Sequence, residues 1–413
     1  MRRSLRALAI AAAVPLLAGP PAEAKPTRPP AAPAPAATPG PATAGAATTG
    51  PRVLDVVAER STLRPGAGES ATWRYRTTVA GRVTASIYDA RDLLVRTLVK
   101  NEDRPAGDQR LAWDGRDDSG REAPPGYYLL VLESAAGGTV ARYDPSDSTG
   151  GELTQASAVR FDREAGLVRY AVTKPALLRV QLGLKKDGPL LRTLADWVAR
   201  EAGEHAEPWD GWDSSGVIRF GDSPELDVQI WAYSLPVNAV VVAAPKPAGV
   251  AAAAAKAGAA SPAPPSRPVW LDFPKDRPRR QRGDAPPHEM YNHWQHDRLR
   301  CRNPSAVLKV GGAARGGGPI AVAAPLPIRL ELPPEEAAFV QDERFETVIY
   351  LDGVFAFEEE QGYLPFTWTL EPGMLTAGDH VVTFMVRGYE GHFGSSSIRV
   401  SRPDSAGSPA VGR

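Results

Sequence analysis

Two stretches constrain the fold more than any others: Trp113-Asp114-Gly115-Arg116-Asp117-Asp118-Ser119-Gly120 and Trp209-Asp210-Gly211-Trp212-Asp213-Ser214-Ser215-Gly216. They share the form W-D-G-x-D-x-S-G and begin 96 residues apart, from Trp113 to Trp209. The same offset joins Arg96-Thr97-Leu98 to Arg192-Thr193-Leu194, and Leu94 to Leu190. An ungapped match over that distance marks an internal duplication. Each copy runs from an alternating apolar stretch, through Arg-Thr-Leu, to a turn cluster and a further alternating stretch. That order predicts consecutive β-strands joined by tight turns.

The motif has a local physical account. Asp-Gly supplies the positive φ of a tight turn, and its carboxylate accepts hydrogen bonds from the turn's own backbone. The preceding Trp carries enough apolar area to close one end of a sandwich core. The rival reading is a calcium loop, because Asp114, Asp117 and Asp118 lie close together. An EF-hand loop needs acids at alternate positions, a central Gly and a distal Glu, and that order is absent. The structural set is therefore Trp113, Asp114, Gly115, Gly120, Trp209, Asp210, Gly211 and Gly216.

The first copy contains Val83-Thr84-Ala85-Ser86-Ile87-Tyr88-Asp89-Ala90, Leu94-Val95-Arg96-Thr97-Leu98, Trp113-Asp114-Gly115 and Pro125-Gly126-Tyr127-Tyr128. This series resembles the FlgD-type immunoglobulin-like domain, named after the flagellar hook-capping protein and repeated in exported bacterial proteins. The resemblance covers about residues 60–135. The second copy keeps Leu190-Leu191-Arg192-Thr193-Leu194 and the Trp209 turn, but has Asp222-Ser223-Pro224 where the first has Pro-x-Gly-Tyr. The resemblance implies a β-sandwich with a spacing or binding role and brings no catalytic residues.

The 413 residues suffice for two to four domains. With 39 Gly and 41 Pro, the composition suits short strands, turns and linkers. Lys plus Arg and Asp plus Glu both total 48, so no net charge favours nucleic acid or an anionic membrane. Met1-Arg2-Arg3-Ser4-Leu5-Arg6, an apolar run over residues 7–18 and Ala22-Glu23-Ala24 read as a signal peptide over residues 1–24. Export to the periplasm, cell surface or beyond is expected, with no transmembrane segment after cleavage. A signal peptide also argues against a true hook-capping protein, whose family leaves through the flagellar export apparatus. A lone cysteine, Cys301, permits no disulfide within the chain.

The expected organisation is all-β, with tandem immunoglobulin-like sandwiches joined by Pro/Ala/Gly-rich linkers. Residues 25–51 form a disordered Pro/Ala-rich spacer. Residues 52–142 and 152–243 form the two related sandwiches. A Pro/Ala linker follows over 244–268, then a basic His and aromatic segment over 269–318. A third immunoglobulin-like module is expected over 319–402, with a tail over 403–413. Glu358-Glu359-Glu360 reads as a solvated loop.

Chemical side chains concentrate in one place. His288, His293, His296 and Cys301 are candidate metal ligands, with Met290 as a soft addition. Their spacing matches no zinc finger and no zincin helix, and the absence of Cys-x-x-Cys-His excludes covalent haem. The plain reading is a partly ordered basic linker that packs its aromatics on a neighbouring sandwich; as an interaction strap it would rely on Arg277, Arg279, Arg280, Arg282 and its tryptophans. Trp270, Tyr291 and Trp294 also offer a stacking platform for sugars. With no nucleophile elbow and no dinucleotide fingerprint, the chain reads as a non-enzymatic scaffold for protein partners, without a cofactor. Two alternatives stay open: an accessory subunit holding a metal or haem in a redox complex, and a carbohydrate-binding accessory of a secreted hydrolase.

Overall fold

The computed structural model describes residues 50–243, 303–311, 318–389 and 392–403. The first sandwich begins with β1 (Val53–Ala58), β2 (Thr62–Leu63), β3 (Ala71–Thr77) and β4 (Gly81–Asp89). It continues through β5 (Leu94–Arg104), β6 (Gly107–Trp113), β7 (Gly126–Ala136) and β8 (Thr139–Tyr143). One sheet is ordered β1-β3-β6, and the other carries β7-β4-β5. Period-two alternation decides which side chains go inward. Trp73 and Tyr75 of β3 and Val83, Ala85 and Ile87 of β4 meet Trp113 and Tyr128 in one core.

The second sandwich repeats this plan. It contains β9 (Leu153–Thr154), β10 (Ala156–Asp162), β11 (Leu167–Val172), β12 (Ala176–Leu184), β13 (Leu190–Arg200), β14 (Gly203–Pro208) and β15 (Leu226–Ser234). Its sheets are β10-β11-β14 and β13-β12-β15-β9, so β1, β3, β4, β5, β6 and β7 of the first module have counterparts in β10 to β15, while β2 and β8 have none. The closing strand forms without Pro-x-Gly-Tyr: β15 pairs along β12 from Leu226 to Ser234.

The chain then turns back. Val240–Val242, expected at the end of the second sandwich, instead forms β16 in the sheet of the first. It pairs antiparallel with Gly126–Tyr128 of β7 and parallel with β2. Val240 and Val242 enter the first core, while Val241 faces the other way. This correction has a physical reason: β8 pairs only with Leu132–Ala136 of β7, leaving the other half of that strand to be filled.

The two sandwiches meet sheet against sheet. Tyr127 and Leu129 on the outer face of β7 pack with Leu177, Trp197, Tyr233, Leu235, Ala239 and Val241. That is why β7 reads as an unbroken apolar run: one face serves its own core and the other the seam. Asn238, at φ 61°, pins the return. Its Oδ1 accepts from the Ala58 amide, its Nδ2 donates to Val56 O and Tyr143 Oη, and its carbonyl accepts from Trp73 Nε1.

The third module has no sequence repeat but the same strand plan. Its elements are β17 (Val307–Val310), β18 (Ile320–Ala321), β19 (Leu326–Glu331), α1 (Pro334–Glu343), β20 (Phe345–Leu351), β21 (Val354–Glu359), β22 (Phe366–Leu370), β23 (Gly378–Gly388) and β24 (Phe393–Arg402). The sheets are β17-β19-β22 and β18-β24-β23-β20-β21. Three features differ from the sequence reading. β17 lies within the span assigned to the basic segment, because Leu308 is buried in this core. A helix joins β19 to β20, begun by Pro334 in the first turn where its missing N–H costs nothing. Glu358 and Glu359 lie on strand β21 rather than on a loop.

Candidate functional site

The duplicated turns use their own polar groups. Trp113 Nε1 donates to Arg116 O at 2.8 Å, and Trp209 Nε1 to Trp212 O at 2.9 Å. Asp114 Oδ1 accepts the Arg116 amide at 3.0 Å, and Asp210 Oδ1 the Trp212 amide at 3.0 Å. Gly115 and Gly211 sit at φ 77° and 86°, and Gly120 and Gly216 at 81° and 68°. At Gly115 a Cβ would also stand 2.6 Å from Pro65 Cγ, so both backbone angle and space require glycine. Asp117, fully buried, accepts from the Ser119 amide and hydroxyl and the Arg121 amide. Asp213 accepts from the Val217 and Ile218 amides at 2.7 and 3.0 Å. Carboxylates so engaged hold the turn's shape. Among the described residues, no group of three or more His, Cys, Asp or Glu side chains is arranged to hold a metal ion.

Each turn also straps the neighbouring edge strand. The Asp118 amide donates to Val95 O of β5, and the Ser214 amide to Leu191 O of β13. Here the copies diverge in use. Ser119 stays within its turn, bonded to Asp117 and Arg121. Ser215, its counterpart, reaches the third module: its Oγ accepts the Ser397 amide at 2.8 Å and lies 3.3 Å from Ser396 Oγ. Arg399 Nη2 donates to Val217 O at 3.0 Å, and Asn303 Nδ2 to Thr193 Oγ1 at 3.1 Å. Leu190 packs on Val348, Tyr350 and Met385 beside them. Burial pushes the Asp213 carboxyl above its usual range, against hydrogen bonds from Ile218, Val217 and Ser397. The duplicated motif is a closed turn in one copy and a docking point in the other.

Two buried polar clusters lie in the second module. Arg179, stacked 4.7 Å over the Trp197 ring, binds Asp196 through Nε at 2.8 Å. Glu207 accepts from Tyr170 Oη at 2.9 Å and from Arg200 Nη2 at 2.8 Å. Burial, with Glu207 beside it, raises the Tyr170 phenol and keeps it a donor.

In the third module His380 stands between Asp352 Oδ2, 2.7 Å from Nδ1, and Thr376 O, 2.9 Å from Nε2. Thr376 Oγ1 lies 3.3 Å from Nε2, which completes an acid–histidine–hydroxyl order. A general base needs a lone pair on Nε2. With a carboxylate at one nitrogen and a carbonyl at the other, the ring serves better as a double donor. The Asp352 and Thr376 bonds accordingly raise its pKa above that of a free histidine. The arrangement is a clip between the Asp352-Gly353 turn and the start of β23. Its stabilisation is complete below the free-histidine value of about 6.5 and is lost as pH rises through the higher folded value. We expect His380→Ala to lower the unfolding midpoint of this module more at about pH 5.5 than at about pH 9. Equal losses at both pH values, measured by thermal unfolding, would show that the charge is irrelevant.

His288, His293, His296 and Cys301 lie outside the described residues, as do Met290, Trp270, Tyr291, Trp294 and the arginines from Arg277 to Arg282. The helix, the Asn238 lock and the His380 clip were missed in the sequence. Pro-Glu-Glu at 334–336 and the Asp352-Gly353 turn were the available signals.

Residues 61–138 match the FlgD immunoglobulin-like domain family. Among solved structures, FlgD from P. aeruginosa is 22% identical, with 24% of this chain and 72% of that one covered and a TM-score of 0.19. A structure of a 1.5-MDa bacterial ice-binding adhesin is 9% identical, covering 85% of this chain and 98% of that one at a TM-score of 0.17. A tetra-tandem repeat from the extending region of a large adhesion protein is 11% identical, covering 85% and 74% at a TM-score of 0.16. Curated proteins gave no match.

Proposed function

We propose that the chain is an exported, non-enzymatic scaffold that holds protein partners at the cell envelope or outside it. The observation that carries this reading is the pair of seams. The second sandwich is locked to the first by an apolar face and a returning strand, and to the third through Ser215, Arg399 and Asn303. Modules used as loose spacers need no such contacts, because inter-module motion is the default where interfaces are small. Fixing three sandwiches instead keeps their free surfaces at constant relative positions, which is what a docking platform requires. The match of residues 61–138 to the FlgD immunoglobulin-like family supports a module of this kind. The leader-like residues 1–24 support export.

Affinity capture of the mature chain from its native envelope tests the reading. Reproducible recovery of the same stoichiometric protein partner is expected. Recovery of the chain alone under several mild extractions would overturn it.

A further inference from the structure

Three strands hold the same edge position in the three sandwiches: β5, β13 and β21, each beside the strand that follows from the three-stranded sheet. An uncovered edge invites another strand, and proteins guard such edges with charge, bulges or a covering segment. β5 is guarded. The Asp118 turn bonds to Val95 and Thr97, while exposed Lys100, Glu102 and Asp103, with Asn101 at φ 51°, disrupt the rest. β13 is covered: the Ser214 turn bonds to Leu191, Asn303 binds Thr193, and the third module packs on Leu190. β21 is less protected: its register against β20 slips by one residue at Ala356 and Leu184 lies by the Gly353 turn, but among the described residues no segment pairs with its outer edge. Val354 is 69% exposed, Phe355 56% and Phe357 36%, with Tyr363 at 49% beside them. No hydrogen bond from an equivalent turn reaches it among the described residues.

The other half of this edge is acidic. Glu358 and Glu359 continue the strand and Glu360 follows it. Glu346, on the adjacent β20, has its one ion pair in the described residues with Arg387, at 3.2 Å. Burial and the neighbouring Glu358 and Glu360 raise the Glu346 carboxyl, against the pull of Arg387. A second copy related by a two-fold would set these glutamates against the other copy's Val354 and Phe355 and leave them without a cation, whereas a basic strand would neutralise them. Because successive side chains of a strand point to opposite faces, a segment with aliphatic residues in one half and Lys or Arg in the other would meet Val354 and Phe355 with the first half and the glutamates with the second.

Resting on the scaffold reading, we propose that the β21 edge is the docking site for an extended, basic and aliphatic segment of a partner protein, which adds to the five-stranded sheet as a further strand. Main-chain hydrogen bonds would supply affinity, and the aromatic and acidic halves would set register. The position is equivalent to the β13 edge, where this chain already receives its own third module.

The test uses the full chain and a fluorescent peptide of about eight residues with Val in one half and Lys in the other, beside a counterpart with Glu for Lys. Fluorescence anisotropy should show saturable one-to-one binding of the basic peptide that weakens with added salt, and little binding of the acidic one. Val354→Lys with Phe355→Lys, and separately Glu358→Gln with Glu359→Gln and Glu360→Gln, should each weaken binding about tenfold. These side chains are exposed or partly exposed, and unchanged thermal unfolding of the variants confirms that the fold is retained. Equal binding of both peptides, or binding indifferent to the variants, would overturn the proposal. So would self-association of the wild-type chain that Val354→Lys with Phe355→Lys dissolves, because a second copy would then be the occupant. Capture of an envelope partner undiminished by that variant would remove this edge while leaving the scaffold reading in place.

Discussion

Glu207→Ala is expected to destabilise the second sandwich by about 3–5 kcal/mol, the cost of breaking a buried ion pair from one side. Glu207 is 3% exposed and joins three strands: it lies on β14, accepts from Tyr170 of β11 and binds Arg200 of β13. Alanine would leave a buried phenol without its acceptor and a guanidinium facing a cavity. The Tyr170 hydroxyl alone costs about 1–3 kcal/mol when unsatisfied. The Arg200 contribution is discounted, because its side chain remains 21% exposed and reaches some water. Glu207→Gln keeps a carbonyl acceptor and should cost distinctly less. A double replacement, Arg200→Met with Glu207→Leu, should recover much of the loss, since paired removal leaves no orphaned charge. Hydrogen exchange across β11, β13 and β14 in the full chain reads the effect locally. Protection unchanged in Glu207→Ala would mean that water or another group replaces the carboxylate.

The sequence carried those parts of the fold that are written locally. The Trp-Asp-Gly turns were legible because their partners lie within a few residues: Trp113 with Arg116, Asp114 with Arg116, Asp213 with Val217. All-β modules followed from alternation on strands such as β3 and β4. The destination of Val240–Val242 was not legible, because three valines suit any sheet and their partners Gly126–Tyr128 lie more than a hundred residues earlier. Ser215 was equally opaque. It stands in the same motif position as Ser119, yet one seryl oxygen closes a turn and the other joins two modules. Glu358 and Glu359 read as loop because charge runs usually do, whereas the pairing with β20 makes them part of an edge strand. Such differences depend on what packs alongside, and periodicity describes only one chain segment at a time.

The returning strand leads to the other large expectation: residues 50–143 by themselves should not fold, whereas residues 50–243 should unfold in one cooperative transition. Family boundaries at 61–138 suggest an independent domain, but the core says otherwise. Val240 and Val242 are 0% and 2% exposed in the first core, and Val241 is 1% exposed in the seam. At about 1.5–3 kcal/mol for each fully buried valine, β16 contributes on the order of 5–9 kcal/mol as an upper estimate. That is comparable with the whole stability of an ordinary domain, about 5–15 kcal/mol. The shorter fragment also loses the Asn238 bonds to Ala58, Val56, Tyr143 and Trp73. Tyr127 and Leu129 would be stripped of Trp197 and Tyr233, leaving an apolar face beside an unpaired half of β7. Such a surface favours aggregation. The fragment should therefore bind a hydrophobic dye and show no cooperative melting. Val241→Asp in the full chain should separate the contributions, because it buries a charge in the seam while sparing the two valines of the first core. A soluble, cooperatively melting 50–143 fragment would show that β16 is an accessory, and that the first two sandwiches are independent units pressed together.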